Sequence, residues 1–121
     1  MAKEQPMPKA LMVVLTSPRS PEVEQEFNRW YTDVHIPEIL RTPGFVGVTR
    51  YKVSASQFLP GAESQGPQYL ALWEIEADDV AAAANALQEQ AISDGWVLDD
   101  AIDPASISIR FFEPITERIT Q

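Results

Sequence analysis

Residues 27–40 read FNRWYTDVHIPEIL and contain the only histidine of the 121-residue chain, His35. Two aromatic residues of this stretch, Phe27 and Tyr31, are four positions apart, a spacing that predicts an amphipathic helix with one apolar face. Pro37 lacks a backbone N–H and should kink or end the helix near His35. The stretch therefore predicts a helix whose C-terminal end carries a single imidazole.

Four apolar, β-rich runs surround two helical patterns. The runs are residues 9–16 (KALMVVLT), 45–53 (FVGVTRYKV), 69–75 (YLALWEI) and 107–112 (ISIRFF). The first run lacks the alternation of a half-exposed strand, which predicts that it is buried on both faces. Residues 20–22 (SPE) supply a cap, a proline and an acid for the first helix start, and Asp78 is expected to cap the second helix. Residues 54–67 predict a surface loop, which we expect to be the least ordered internal segment.

The predicted element order is βαββαβ. This order predicts an α+β, ferredoxin-like fold, with an antiparallel four-stranded sheet and both helices on one face, over a single domain of residues 1–121. The strands carry apolar residues on both faces, whereas two helices cover only one. We therefore expect a homodimer in which a second copy covers the other face.

Composition limits the partners and the compartment. The net charge of −9 disfavours nucleic acid, whose binding relies on Lys and Arg neutralising phosphates. The sequence has no apolar run near the roughly 20 residues that span a bilayer, so no membrane association is expected. The first residues lack the features of a secretory signal, and there is no cysteine for disulfides or thiolate ligands. We expect a soluble, cytoplasmic protein.

Basic residues are unevenly distributed. None occurs between Lys52 and Arg110, while Arg29, Arg41 and Arg50 lie in or near residues 27–40. An anionic small molecule would be attracted to this part of the chain, although the same residues are also explained as solvated surface charges.

His35 is the main candidate for proton transfer, because histidine titrates near neutral pH. On a helix, Tyr31 and Asn28 precede it by four and seven residues and are expected to reach the same groove, where they would hold a substrate oxygen. The alternative is that His35 is a cation favoured by the helix dipole at the C-terminal end.

Three further residues complete the candidate site. Glu38 is expected to orient the imidazole if the helix continues past Pro37, and Arg50 to be the counter-charge for a carboxylate, phenolate or enolate. Trp73 is assigned as a substrate contact, with a place in the core as its alternative.

Several other chemistries are disfavoured. The segment 44–47 (GFVG) lacks the third glycine and the strand-to-helix context of a nucleotide-binding loop, and no serine occupies a nucleophile elbow. One histidine without cysteine predicts no dedicated metal site and no cofactor, although a haem bound axially by His35 stays an alternative.

The first half of the chain contains a recognisable pattern of residues: Phe27, Asn28, Trp30, Tyr31, His35, Pro37 and Glu38, followed by Pro43-Gly44-Phe45 and Arg50-Tyr51. Through this pattern the chain resembles the EthD-like members of the dimeric α+β barrel superfamily over about its first half. The resemblance implies two ferredoxin-like protomers whose sheets close into a barrel, and a cavity between helices and sheet for a small aromatic or polyketide-like ligand. It also implies a histidine at this helix end.

Three hypotheses for function follow. The first is a cofactor-independent lyase, isomerase or cyclase acting on a small aromatic or enolisable compound through proton transfer by His35. The second is a non-catalytic ligand-binding or accessory dimer. The third is a haem-dependent or cofactor-free oxygenase.

Overall fold

A four-stranded antiparallel sheet forms the centre of the fold in the computed structural model, which describes residues 7–121. Its strands are β1 (Ala10–Thr16), β2 (Phe45–Lys52), β3 (Tyr69–Ile75) and β4 (Ser108–Phe112), in the spatial order β2-β3-β1-β4. Every neighbouring pair is antiparallel. With the helices between β1 and β2 and between β3 and β4, this confirms the predicted ferredoxin-like α+β fold.

The first helical layer is a continuous segment made of three parts. These are α1 (Glu24–Trp30), a π-helix (Tyr31–His35) and α2 (Ile36–Leu40), preceded by a 3-10 turn at Pro21–Val23. The second layer is α3 (Val80–Asp94). Short 3-10 turns at Ala62–Ser64 and Pro104–Ser106 lie in the connections.

Pro37 does not end the first helical segment. The N–H of Ile36 donates to the carbonyl of Tyr31, five residues back, so the chain widens into a π-helix just before the proline. A proline ring in a regular α-helix clashes with the carbonyl four residues earlier, and the wider turn relieves that clash. The segment therefore continues through His35 to Leu40, which keeps Glu38 on the same helical segment as the imidazole.

The central strands alternate between a buried and a half-buried face. In β1, Ala10, Met12, Val14 and Thr16 are buried, while the residues between them are half-buried. The helices bury one face of β1, and the expected burial of its other face by a second copy stays a prediction. The helices and the covered face share one core, which includes Phe27, Tyr31, Ile39, Met12, Trp73 and Ala83.

The opposite face of the sheet carries apolar side chains, and none of the helices within residues 7–121 packs over it. Leu11, Val13, Leu15, Leu70 and Leu72 are half-buried there by the strand pairing. Tyr51 and Phe112 lie on the same face and are exposed. We call this surface the open sheet face.

The start of α3 differs by one residue from the expectation. Asp79, not Asp78, is the N-cap, and its carboxylate accepts a hydrogen bond of 3.0 Å from the backbone N–H of Ala81. Asp78 instead forms an exposed ion pair with Lys9, the residue directly before β1. Adjacent aspartates at a helix start compete for the cap, and sequence alone does not distinguish them.

Within residues 7–121, no helix is long and apolar enough to cross a membrane. The predicted absence of a secretory signal concerns the start of the chain, and residues 1–6 lie outside the described residues.

Candidate functional site

A cavity of about 310 Å³ lies between the helices and the β1–β4 half of the sheet. Its wall is almost entirely apolar and includes Met12, Val14, Ile39, Leu87, Trp96 and Ile109. Tyr31 and His35 also line it, and both belong to the π-helix. A π-helix displaces side chains from regular α-helical positions, and such turns recur at functional sites.

The imidazole of His35 is packed among three aromatic rings. It stacks on Trp30 with ring centroids 4.8 Å apart, and it meets Tyr31 edge to face at 5.2 Å. Trp96, from the segment after α3, approaches edge-on at 6.1 Å. These contacts hold the ring in one orientation and remove most of its surface from water.

Glu38 lies next to one nitrogen of this ring. His35 Nδ1 and Glu38 Oε1 are 3.3 Å apart, and both side chains are less than a fifth exposed. A carboxylate only accepts hydrogen bonds, so in this pair Nδ1 carries the proton and Nε2 keeps its lone pair. The predicted orienting contact between Glu38 and the imidazole is therefore present in the geometry.

The protonation of His35 is set by two opposed effects. Burial lowers its pKa from the ordinary value of 6.5, because a charged ring loses hydration, while the hydrogen bond and negative charge of Glu38 raise the pKa. Burial is the larger effect, so the net pKa is lowered. The imidazole is thus neutral at neutral pH, which is the form that accepts a proton.

Tyr31 is almost fully buried beside this ring. Its hydroxyl and the indole N–H of Trp73 are buried and lack a hydrogen-bond partner of good geometry within residues 7–121. Burial raises the pKa of Tyr31, and the neighbouring Trp73 and the charge of Arg50 oppose this only in part. The phenol is therefore protonated at neutral pH and is suited to donate a hydrogen bond.

Arg50 and Asn28 lie outside the cavity wall. One guanidinium nitrogen of Arg50 is 2.9 Å from Asn28 Oδ1, and another is 3.1 Å from Thr32 Oγ1. Asn28 Nδ2 in turn donates to the hydroxyl of Tyr69 at 3.1 Å. These side chains form a polar network on the β2 side of Tyr31, away from the residues that line the cavity.

The structure thus brings together three of the six predicted site residues. His35 and Tyr31 share the cavity wall, and Glu38 contacts His35. Asn28 and Arg50 were expected to share a groove with His35 but do not line the cavity, and Trp73 is a fully buried core residue. The functional roles assigned to these residues stay predictions.

Trp96 also lines the cavity, although it was not among the predicted site residues. This residue follows Gly95, whose φ of +64° ends α3 in a left-handed conformation and turns the chain back toward His35. The apolar run Trp96-Val97-Leu98 directly after a helix-ending glycine was the available signal.

The basic residues near the first helical segment are largely engaged within the chain. Lys52 Nζ is 3.0 Å from Glu24 Oε2, and Arg41 Nε is 3.4 Å from Asp94 Oδ2. Over the described range, no group of three or more potential metal ligands is placed to hold an ion.

Residues 14–91 match the family described as "Domain of unknown function (DUF4286)". The matched range runs from within β1 into α3 and includes Tyr31, His35 and Glu38, whereas β4 and Trp96 lie beyond it. No curated protein matches the chain.

Proposed function

The chain belongs to the family described as "Domain of unknown function (DUF4286)", and because this description names no activity, we propose a function from the candidate site. The proposed function is that of a cofactor-independent lyase, isomerase or cyclase. It acts on a small aromatic or enolisable compound, and His35 transfers the proton.

One observation carries this proposal: a neutral imidazole, held at Nδ1 by Glu38, forms part of the wall of an apolar cavity. Nε2 accepts a proton from the carbon next to a ligand carbonyl, which leaves an enolate. Glu38 then stabilises the imidazolium, and the same nitrogen returns the proton to the same or another carbon. Many lyase, isomerase and cyclase reactions of enolisable compounds begin with such a step.

The cavity favours an uncharged, largely apolar ligand. Its volume of about 310 Å³ is about twice that of a 150 Å³ apolar cavity known to bind benzene. Arg50 is engaged with Asn28 and Thr32 outside the cavity wall, so its guanidinium is not placed to pair with an anionic ligand in the cavity. We therefore propose a neutral aromatic ketone or related compound in place of a carboxylate.

The test measures deuterium exchange at the acidic carbon of 2-tetralone, a bicyclic aromatic ketone, in heavy water. The wild-type protein is expected to accelerate exchange, and His35→Ala and His35→Gln to lose a factor of about 100 to 10,000. Both variants should stay folded by circular dichroism. Undiminished exchange in folded His35→Gln protein would contradict the role of the imidazole.

We also propose the assembly implied by the EthD-like resemblance. A second copy packs on the open sheet face, giving a homodimeric α+β barrel built from a single domain of residues 1–121 that works in the cytoplasm. The support is the set of half-buried leucines and the valine on that face, together with exposed Tyr51 and Phe112.

A non-catalytic ligand-binding dimer is the second candidate. The observation that favours it is the composition of the wall, in which His35 and Tyr31 are the only titratable side chains within the described residues. Binding of 2-tetralone without exchange would support this candidate. The oxygenase hypothesis in its haem-dependent form requires a visible absorption band in the purified protein, so an absorption spectrum tests that form directly.

A further inference from the structure

The guanidinium of Arg50 lies among three aromatic rings of the core. Its central carbon is 4.4 Å from the ring centroid of Tyr31, 5.4 Å from that of Tyr69 and 5.5 Å from that of Phe27. Cations are attracted to the faces of such rings, and the attraction increases when the cation is partly removed from water. Tyr31 is the nearest of the three, and its ring also contacts the imidazole of His35.

Polar contacts fix Arg50 to the junction between α1 and the π-helix. It donates to the side-chain oxygen of Asn28 at 2.9 Å and to the hydroxyl of Thr32 at 3.1 Å. These two residues lie on either side of Tyr31 in sequence, one in α1 and one in the π-helix. Arg50 therefore ties the edge strand β2 to the place where the helix changes its hydrogen-bonding pattern.

We propose that Arg50 is a positioning residue: by clamping Asn28 and Thr32 and covering the face of Tyr31, it fixes the ring against which His35 packs. Arg50 does not contact the ligand. The effect on turnover rests on the proposed function, whereas the effect on the two rings does not.

The experiment uses Arg50→Met, Arg50→Lys and Thr32→Val, with Arg110→Met as the matched control. Arg110 also lies over an aromatic ring, that of Phe112 at 5.0 Å, but on the open sheet face, so the variants are compared once light scattering shows the same mass as for the wild type. Because the chain has a single histidine, its imidazole proton signals in the NMR spectrum need no assignment by mutation. Selective ¹³C labelling of tyrosine follows the titration of Tyr31 among only three tyrosines.

We expect Arg50→Met to move the His35 signals, since the ring current of Tyr31 acts on them, and to raise the pKa of Tyr31. Thr32→Val should move the His35 signals in the same direction by less. Arg50→Lys keeps the positive charge, so the pKa of Tyr31 should stay near its wild-type value. Because lysine lacks the forked guanidinium that reaches both oxygens, the His35 signals should still differ from those of the wild type. For 2-tetralone exchange, Arg50→Met should lower kcat by up to about 100-fold with KM unchanged.

Two results would overturn the inference. One is that the His35 signals and the pKa of Tyr31 are the same in Arg50→Met as in Arg110→Met. The other applies if Arg50→Met does not fold: unmoved His35 signals in Thr32→Val then contradict the clamp. A wild-type protein without 2-tetralone exchange would refute the proposed function, while the NMR measurements would still decide this inference.

Discussion

The imidazole of His35 lies nearly parallel to the indole of Trp30, with ring centroids 4.8 Å apart and an angle of 13° between the planes. A protonated ring would gain a cation–π attraction there, but it would lose its hydration in the same place. Burial is the largest influence on the pKa of His35, which lies below its ordinary value. The stacked ring is therefore held in its neutral form.

This has a consequence for stability as the pH falls. Because the folded-state pKa of His35 is lower than the unfolded value of about 6.5, the unfolded chain binds more protons between the two values. The contribution of the neutral ring is present above pH 6.5 and is lost as the pH falls from there toward the folded-state pKa. Urea unfolding at pH 7.5, 6.5 and 5.5 should show a steeper loss of the free energy of unfolding in wild type than in His35→Gln.

Parallel curves for the two proteins would contradict this prediction. The comparison with His35→Gln is needed because several carboxylates, among them Glu24 and Asp94, also have lowered pKa values. Those groups lose their stabilising contribution at lower pH in both proteins, so the difference between the curves isolates the imidazole.

Replacing Glu38 should change the protonation of His35 in a defined direction. The hydrogen bond and charge of Glu38 raise the pKa of His35 against the effect of burial. Glu38→Gln keeps a similar shape but removes the negative charge, so the pKa of His35 should fall further. An NMR titration of the single histidine measures this, and a pKa that rises or stays unchanged would show that Glu38 does not hold the ring as described.

The fold followed from sequence because its signals are local. The β-rich run at 69–75 matches β3 residue for residue, and the other strands are displaced by at most one residue at an end. The order of elements then left few topologies to consider. The π-helix was not predicted, because its cause is the accommodation of Pro37 within a helix that packing holds in place on both sides of the proline.

The site was predicted less completely than the fold. Helical spacing correctly placed Tyr31 with His35, since side chains four apart share a face. It also placed Asn28 there, but this residue turns toward Arg50 and Tyr69. Spacing along one helix does not reveal which neighbouring strand supplies a polar partner. The polar partners Arg50 and Tyr69, which lie on strands, determine the direction of the Asn28 side chain.

The cap of α3 gives a test that depends only on local structure. Asp79 accepts a hydrogen bond from the backbone of Ala81, whereas Asp78 pairs with Lys9 at the surface. Asp79→Ala should lower the free energy of unfolding by about 1 kcal/mol, as is usual for loss of an N-cap. Asp78→Ala is the control and should cost less, because exposed ion pairs contribute little. Urea unfolding of both variants decides the assignment, and a greater loss in Asp78→Ala would reverse it.

The last prediction concerns the open sheet face. Val13 and Leu72 are paired directly across β1 and β3 at its centre, and within residues 7–121 no helix packs over them. If a second copy packs there, light scattering should report twice the monomer mass at micromolar concentration, and Leu72→Lys should give a monomer because it would bury a charge in the interface. Ile92→Lys is the control, since Ile92 is an exposed residue of α3 and its replacement should leave the dimer intact. A wild-type monomer would contradict the predicted dimer, and a dimer that tolerates Leu72→Lys would place the interface elsewhere on the protein.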